Sequence, residues 1–121
     1  MNKTFFDQES YKNDIDLETN ADVLERIYKD NIKPSDELAI EFFFVTDSEV
    51  KAITFKSQLE LKFPVYQQVQ VRDYHGDFEI SGKTEPIKMS LQPINEWNQL
   101  MWDFGYKFDC KLDGWQVEST S

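Results

Sequence analysis

The last thirty or so residues constrain the fold more than any other stretch. An amphipathic helical pattern runs directly into a short strand, closing on Phe108-Asp109-Cys110-Lys111-Leu112-Asp113-Gly114-Trp115-Gln116-Val117-Glu118. In the helical part, Ile94, Trp97, Met101, Phe104 and Phe108 recur at spacings of three and four, with Leu100 alongside, and so form one buried stripe. Ser90 stands before this helix as its cap, and Pro93 is tolerated in the first turn, where a missing N–H costs nothing. The strand uses Leu112, Trp115 and Val117. The step from Leu112 to Trp115 breaks strict alternation, and a bulge at Asp113-Gly114 restores both to one face.

A second stretch fixes the centre of the sheet. Leu38, Ile40, Phe42 and Phe44 alternate with Ala39, Glu41, Phe43 and Val45, a strand apolar on both faces and therefore expected in the middle. Val65, Val69 and Val71 alternate with polar or amphipathic residues up to Tyr74, which suits an edge strand. Tyr74-His75-Gly76-Asp77 is a hairpin turn leading into a strand that carries Phe78 and Ile80, weakened at Gly82 and limited by Pro86. Between the first two strands, Asp47 or Ser48 caps a helix with Ala52, Phe55 and Leu59 on one face and Val50, Ile53 and Leu61 elsewhere. Pro64 ends it.

Upstream, Thr19 or Asn20 caps a helix striped by Val23, Leu24, Ile27 and Tyr28, and Pro34-Ser35 breaks the chain before the first strand. Residues 1–19 read as a loosely ordered acidic leader with Phe5, Phe6 and Tyr11 able to dock, and residues 20–121 as one domain, long enough to bury a core without staples. A helix followed by strand-helix-strand-strand-helix-strand gives the α+β class. It suits a ferredoxin-like β-α-β-β-α-β sandwich: a four-stranded antiparallel sheet with two helices on one face, plus an extra N-terminal helix. The apolar stripe of that extra helix is expected to cover the other sheet face.

Composition narrows function by exclusion. Thirteen Lys and Arg against 23 Asp and Glu give a net charge of −10 and a pI near 4.4. Such a surface repels phosphate backbones and anionic lipid and attracts basic protein surfaces; the plainer reading is that it only keeps the domain soluble. Cys110 is the sole cysteine, so no internal disulfide forms, and no apolar run approaches membrane-spanning length, which points to the cytoplasm. His75 sits in a turn with no nucleophile motif to serve, and Cys110 reads as a small buried hydrophobe. The acidic run Asp14-Ile15-Asp16-Leu17-Glu18 lacks the glycine and terminal glutamate spacing of a calcium loop, and no glycine-rich phosphate loop exists. No catalytic residue, metal or cofactor is expected.

The helix-to-strand ending with Asp113-Gly114-Trp115 is similar to the C-terminal signature of the RraB family, the regulators (inhibitors) of ribonuclease E. Asp22-Val23-Leu24-Glu25-Arg26-Ile27-Tyr28, the Pro34-Ser35 step and the strand Leu38 to Phe44 fall in that family's order, so the resemblance spans Asn20 to Glu118. Pro64 stands where the family tends to carry glycine, which implies a different exit turn. The resemblance implies the same fold and a non-enzymatic protein that binds ribonuclease E and depresses its activity.

Partner-binding candidates are the acidic residues at strand ends and turns, Glu37, Asp47, Glu49, Asp73, Asp77 and Glu79, together with Phe43, Tyr66 and Tyr74 on the sheet face away from the helices. Those aromatics lack the pattern of RNA-recognition modules, so direct binding of nucleic acid is not expected. Asp113-Gly114-Trp115 reads first as structural, with Gly114 at positive φ, Asp113 bonding the local backbone and Trp115 in the core. Its second reading is direct partner contact. The rival function is a ligand-binding or homodimeric module that uses the open sheet face.

Overall fold

Four antiparallel strands form one open sheet, accompanied by four helices, in a computed structural model that describes residues 4–117. Residues 1–3 of the leader and Glu118 at the end of the C-terminal motif lie outside the described residues. The elements run α1 (Gln8–Asn13), α2 (Thr19–Tyr28), β1 (Glu37–Thr46), α3 (Glu49–Lys62), β2 (Gln67–Tyr74), β3 (Asp77–Lys88), α4 (Leu91–Lys107) and β4 (Lys111–Gln116). The strand order is β2-β3-β1-β4, so the doubly apolar strand is interior and the half-polar β2 lies at an edge, as the sequence predicts.

Both long helices pack on one face of β1. Ile40, Phe42 and Phe44 are fully buried there. Phe44 meets Phe55 of α3 at 4.7 Å between ring centroids, and Phe42 meets Trp97 of α4 at 6.4 Å. The opposite face of the sheet carries Glu41, Phe43 and Val45 from β1, paired with Lys83, Ser81 and Glu79 of β3. β1 needs relief at its start. A register shift between Ala39 and Glu41 leaves the Ile40 N–H without its ladder partner, and the Thr84 hydroxyl accepts it at 3.0 Å. β3 therefore continues through Pro86 to Lys88 rather than stopping there.

The hairpin forms where expected. Tyr74 pairs with Asp77 across a two-residue turn in which both His75 (φ 51) and Gly76 (φ 89) are left-handed. Ser48 caps α3 by accepting from the Lys51 N–H, and Ala52, Phe55 and Leu59 are its buried residues. Val50, Ile53 and Leu61 stay in solvent, which is why the helix carries no clean polar face. Past Lys62, the Tyr66 N–H donates to the Phe63 carbonyl at 2.9 Å, so Pro64 sits inside a tight turn.

Two expectations are corrected. The N-terminal helix does not cover the second sheet face: α2 packs against α4, burying Leu24 and Ile27, while the Tyr28 hydroxyl donates to the Met89 carbonyl at 2.6 Å. α4 is thereby apolar on two sides. Trp102 (4% exposed) joins its core, whereas Leu100, placed beside the stripe by spacing alone, is exposed. The leader, finally, is held to the body. Phe6 is 1% exposed against Trp102 (4.7 Å) and Tyr106 (5.4 Å), Tyr11 stacks on Tyr106 at 4.3 Å, and α1 is capped by Asp7. The aromatics that the sequence marks as able to dock do so, which makes the leader more ordered than its polar composition suggests.

Candidate protein-binding surfaces

Four of the acidic candidates gather at one end of the sheet. β1 finishes at Thr46 opposite Phe78, so Asp47 and Glu49 at the start of α3 lie at the same end as Asp73 and Asp77 beside the hairpin. Glu49 and Asp73 are exposed, whereas Asp47 is ion-paired to Lys51 at 2.8 Å. Glu37 lies at the far end, opposite Lys88. Glu79 shares the hairpin end but is only 4% exposed. Its carboxylate faces Arg72 on the neighbouring strand, which donates from Nε at 2.7 Å and lies 2.6 Å away through Nη2. A carboxylate so covered and so paired contributes little to steering a partner, and Glu79 leaves the candidate set.

The aromatic candidates separate in the same way. Phe43 lies half-buried on the sheet face opposite α3 and α4, and Tyr74 shares that face at the hairpin end, with its ring edge-on to His75. Tyr66 does not. It is buried on the helix side, stacked on Phe63 at 4.7 Å, and its hydroxyl accepts from the Trp97 indole at 3.2 Å; burial pushes its pKa up to about 12. The turn at Pro64 is what swings it inward, and no alternation pattern read from a strand could register that.

The C-terminal motif is bulged as expected but not for the expected reasons. Phe43 pairs with Gly114 and Phe44 with Leu112, leaving Asp113 as the extra residue. Gly114 is absent from the residues at positive φ, and a Cβ added to it would meet nothing within 4 Å. Positive φ is therefore not its role. What it does is leave Phe43, directly across the strand, without a side-chain neighbour on that flank. Trp115 is half-buried rather than core. Its ring meets Trp97 edge-on at 6.5 Å, and its indole N–H donates to Asn20 Oδ1 at 2.9 Å.

Asn20 is the residue that sequence reasoning missed. It was expected as a helix cap; in fact Asp16 accepts from the Thr19 N–H at 3.1 Å at the start of α2, and Asn20 is 2% exposed inside the fold. Its amide donates to Asn95 at 2.8 Å and to Asn98 at 3.3 Å, so every polar atom of the side chain has a partner. Asparagines at 95 and 98, one turn apart on the strongest helix, were the available signal. Trp115 is thereby fixed, with Val23, as a wall shared by two clefts of about 330 and 340 Å³. The first also holds Asp14, Asp16, Trp102, Lys111 and Asp113, and the second Arg26, Ile27 and Val117.

Among the described residues no three His, Cys, Asp or Glu side chains are placed to hold a metal ion, and no helix is long and apolar enough to cross a membrane. Cys110 is fully buried, with its thiol facing the Phe108 and Lys51 carbonyls, and burial pushes its pKa up to about 12. A disulfide-exchange reagent at mildly alkaline pH should leave it unmodified in the native protein and modify it fully in denaturant. Fast native labelling would show that the strand start around Cys110 opens.

No curated protein matches the chain closely enough to be named beside it. The family model described as regulator of ribonuclease activity B matches residues 17–117, from just before α2 through the bulged β4 that carries Trp115. With α2, the sheet, both long helices and the Trp115 strand all inside that match, the chain belongs to the RraB family of regulators of ribonuclease activity.

Proposed function

We propose that this protein is a non-enzymatic cytoplasmic regulator that binds a ribonuclease, in the first instance ribonuclease E, and depresses its cleavage of RNA. The family match over residues 17–117 carries the reading. The net charge of −10 supports it, since an acidic domain is drawn to the basic surfaces that ribonucleases present to RNA while itself repelling RNA. The core is read as a ferredoxin-like sandwich, supported by the order β2-β3-β1-β4 with every neighbouring pair antiparallel and by α3 and α4 on one face.

Exposed carboxylates at Glu49 and Asp73, with Asp77 and Asp47 beside them, supply long-range attraction more than grip. The association rate with ribonuclease E should therefore fall about tenfold between low and moderate salt while dissociation changes little. Surface-bound kinetics together with a fluorogenic RNA cleavage assay read both quantities. Neutralising the four residues together should reproduce the salt effect at low ionic strength. Cleavage of RNA by the purified chain in chelator would overturn the non-enzymatic reading, and full ribonuclease activity at saturating chain would overturn the regulator reading.

A homodimer built on the sheet face is the second reading. It is favoured by Phe43 standing half-exposed across from the side-chain-free Gly114. Sedimentation of wild type and Phe43→Lys tests it: a dimer that the substitution dissociates supports this arrangement.

A further inference from the structure

The edge of the sheet at β4 is left open in a way that its surroundings do not explain structurally. Among the described residues β1 is its only strand neighbour, and no backbone hydrogen bond ties Lys111–Gln116 to any other segment. A strand edge left with unpaired donors and acceptors is a template for another chain. Natural edges are blunted by proline, by burial or by a cover. Here a bulge is present, but it turns the exposed Asp113 toward the first cleft instead of closing the edge.

The chemistry of the first cleft selects its occupant. Three carboxylates, Asp14, Asp16 and Asp113, line it against the one ammonium of Lys111. That ammonium already shows what the cleft accepts: it lies 2.9 Å from Asp14 and 5.9 Å from the ring centroids of both Phe6 and Trp102. Asp113 is exposed, with no side-chain hydrogen bond or ion pair among the described residues. Trp115 has its N–H committed to Asn20, so only the ring is left to face a ligand on either side. Immobilising an aromatic wall through a fully bonded, buried asparagine is a preorganised arrangement and lowers the ordering cost of binding.

We propose that an extended cationic segment of a protein partner adds as a strand along the free edge of β4, with basic or aliphatic side chains entering the clefts on the two sides of Trp115. The proposal rests on the reading of the chain as a protein-binding regulator and names the surface that does the binding. Main-chain pairing supplies affinity, and the alternation of side chains along an added strand brings every second one to the same side, toward the clefts.

The test uses the full chain, labelled with nitrogen-15, and a short blocked peptide that alternates lysine and valine. Saturable shifts are expected at the amides of residues 111–116 and at the Trp115 indole. They should vanish when glutamate replaces lysine in the peptide, or when alternate peptide nitrogens on the pairing edge are methylated. Asp113→Lys, on an exposed residue outside the core, should weaken the peptide about tenfold. Shifts centred on Phe43 and Tyr74, or on the exposed Val50, Ile53 and Leu61 of α3, would overturn the proposal, as would the absence of saturation or indifference to backbone methylation. Competition separates it from the regulator reading. A bound ribonuclease displaced by the lysine–valine peptide supports the edge site; one that binds and is not displaced removes the edge site and leaves the regulator standing. A ribonuclease that fails to bind at all removes the regulator, and the peptide shifts then decide the surface alone.

Discussion

Gly105→Ala should cost the domain about 3–5 kcal/mol, most of the margin of a small fold. A Cβ at this position would lie 2.3 Å from the Cys110 carbonyl oxygen and 3.0 Å from the Phe44 ring. The first obstacle is backbone, in a segment that cannot step aside. Directly after α4 the chain reverses through Asp109, which is left-handed at φ 60, and the Gly105 carbonyl accepts from both Phe108 (3.0 Å) and Cys110 (2.9 Å). The second obstacle is a fully buried ring in the central strand. Relief requires moving β4 away from the helix end, which loosens the strand that carries Leu112 and Trp115. Urea denaturation should show a midpoint far below wild type with an unchanged slope. Gly114→Ala is the matched control, since nothing stands within 4 Å and its φ is not left-handed; it should change stability by no more than about 0.5 kcal/mol. Equal midpoints for the two variants would refute the steric argument.

The second large effect centres on Asp109. Its carboxylate accepts from the Phe5 N–H (3.0 and 2.8 Å), from the Phe6 N–H (2.6 Å) and from Lys51 Nζ (2.5 Å). Burial by itself raises the carboxyl's pKa, but the bonds from Lys51 and from the two backbone N–H groups outweigh it and hold the value below the ordinary 3.8. Because the folded value is the lower one, this stabilisation is complete above the unfolded pKa. It is lost as pH falls through the folded value, so the effect is confined to pH below about 4. Asp109→Ala removes it at every pH, leaves two backbone donors without their acceptor and puts alanine at a positive φ. Together these should cost about 2–4 kcal/mol. Asp109→Asn keeps the left-handed tolerance and one acceptor, and should lose roughly half as much. Protection of the Phe5 and Phe6 amides, measured against the intrinsic exchange rate at the same pH, is the specific readout: it should fall in both variants at neutral pH, and in wild type only below about pH 4. Unchanged protection of those two amides in Asp109→Ala would show that the Phe6 ring alone seats the leader.

What the sequence disclosed was whatever repeats. β1 announces itself because alternation on both faces has one structural solution, and α4 because its spacing fills one stripe. The hairpin needed only His75-Gly76, and the bulge only the broken step between Leu112 and Trp115. Relations between distant residues stayed hidden. Nothing in the neighbourhood of Asn20 says that it will meet Asn95, Asn98 and Trp115, and nothing near Asp109 points to Phe5. Tyr66 was misplaced because the turn before it, not the strand after it, sets its direction. Glu79 looked like any other hairpin charge until its cross-strand neighbour proved to be Arg72. For the binding surface, the acidic end was legible as composition, whereas the β4 edge depends on which strand ends the sheet, a property of topology alone.

The clasp between Asp109 and the leader also imposes an order in time. Phe5 and Phe6 are translated more than a hundred positions before the side chain that fixes them. Their seat, made by Trp102, Tyr106 and Asp109, exists only once α4 and the turn after it have been made. At ordinary elongation rates the leader spends several seconds or more tethered and unseated, its aromatic residues accessible to whatever is nearby. β1 waits in the same way, since its partner on one side, β4, is made only after β2, β3 and α4. The nascent chain thus resembles an unlocked box, and Asp109 turns the key.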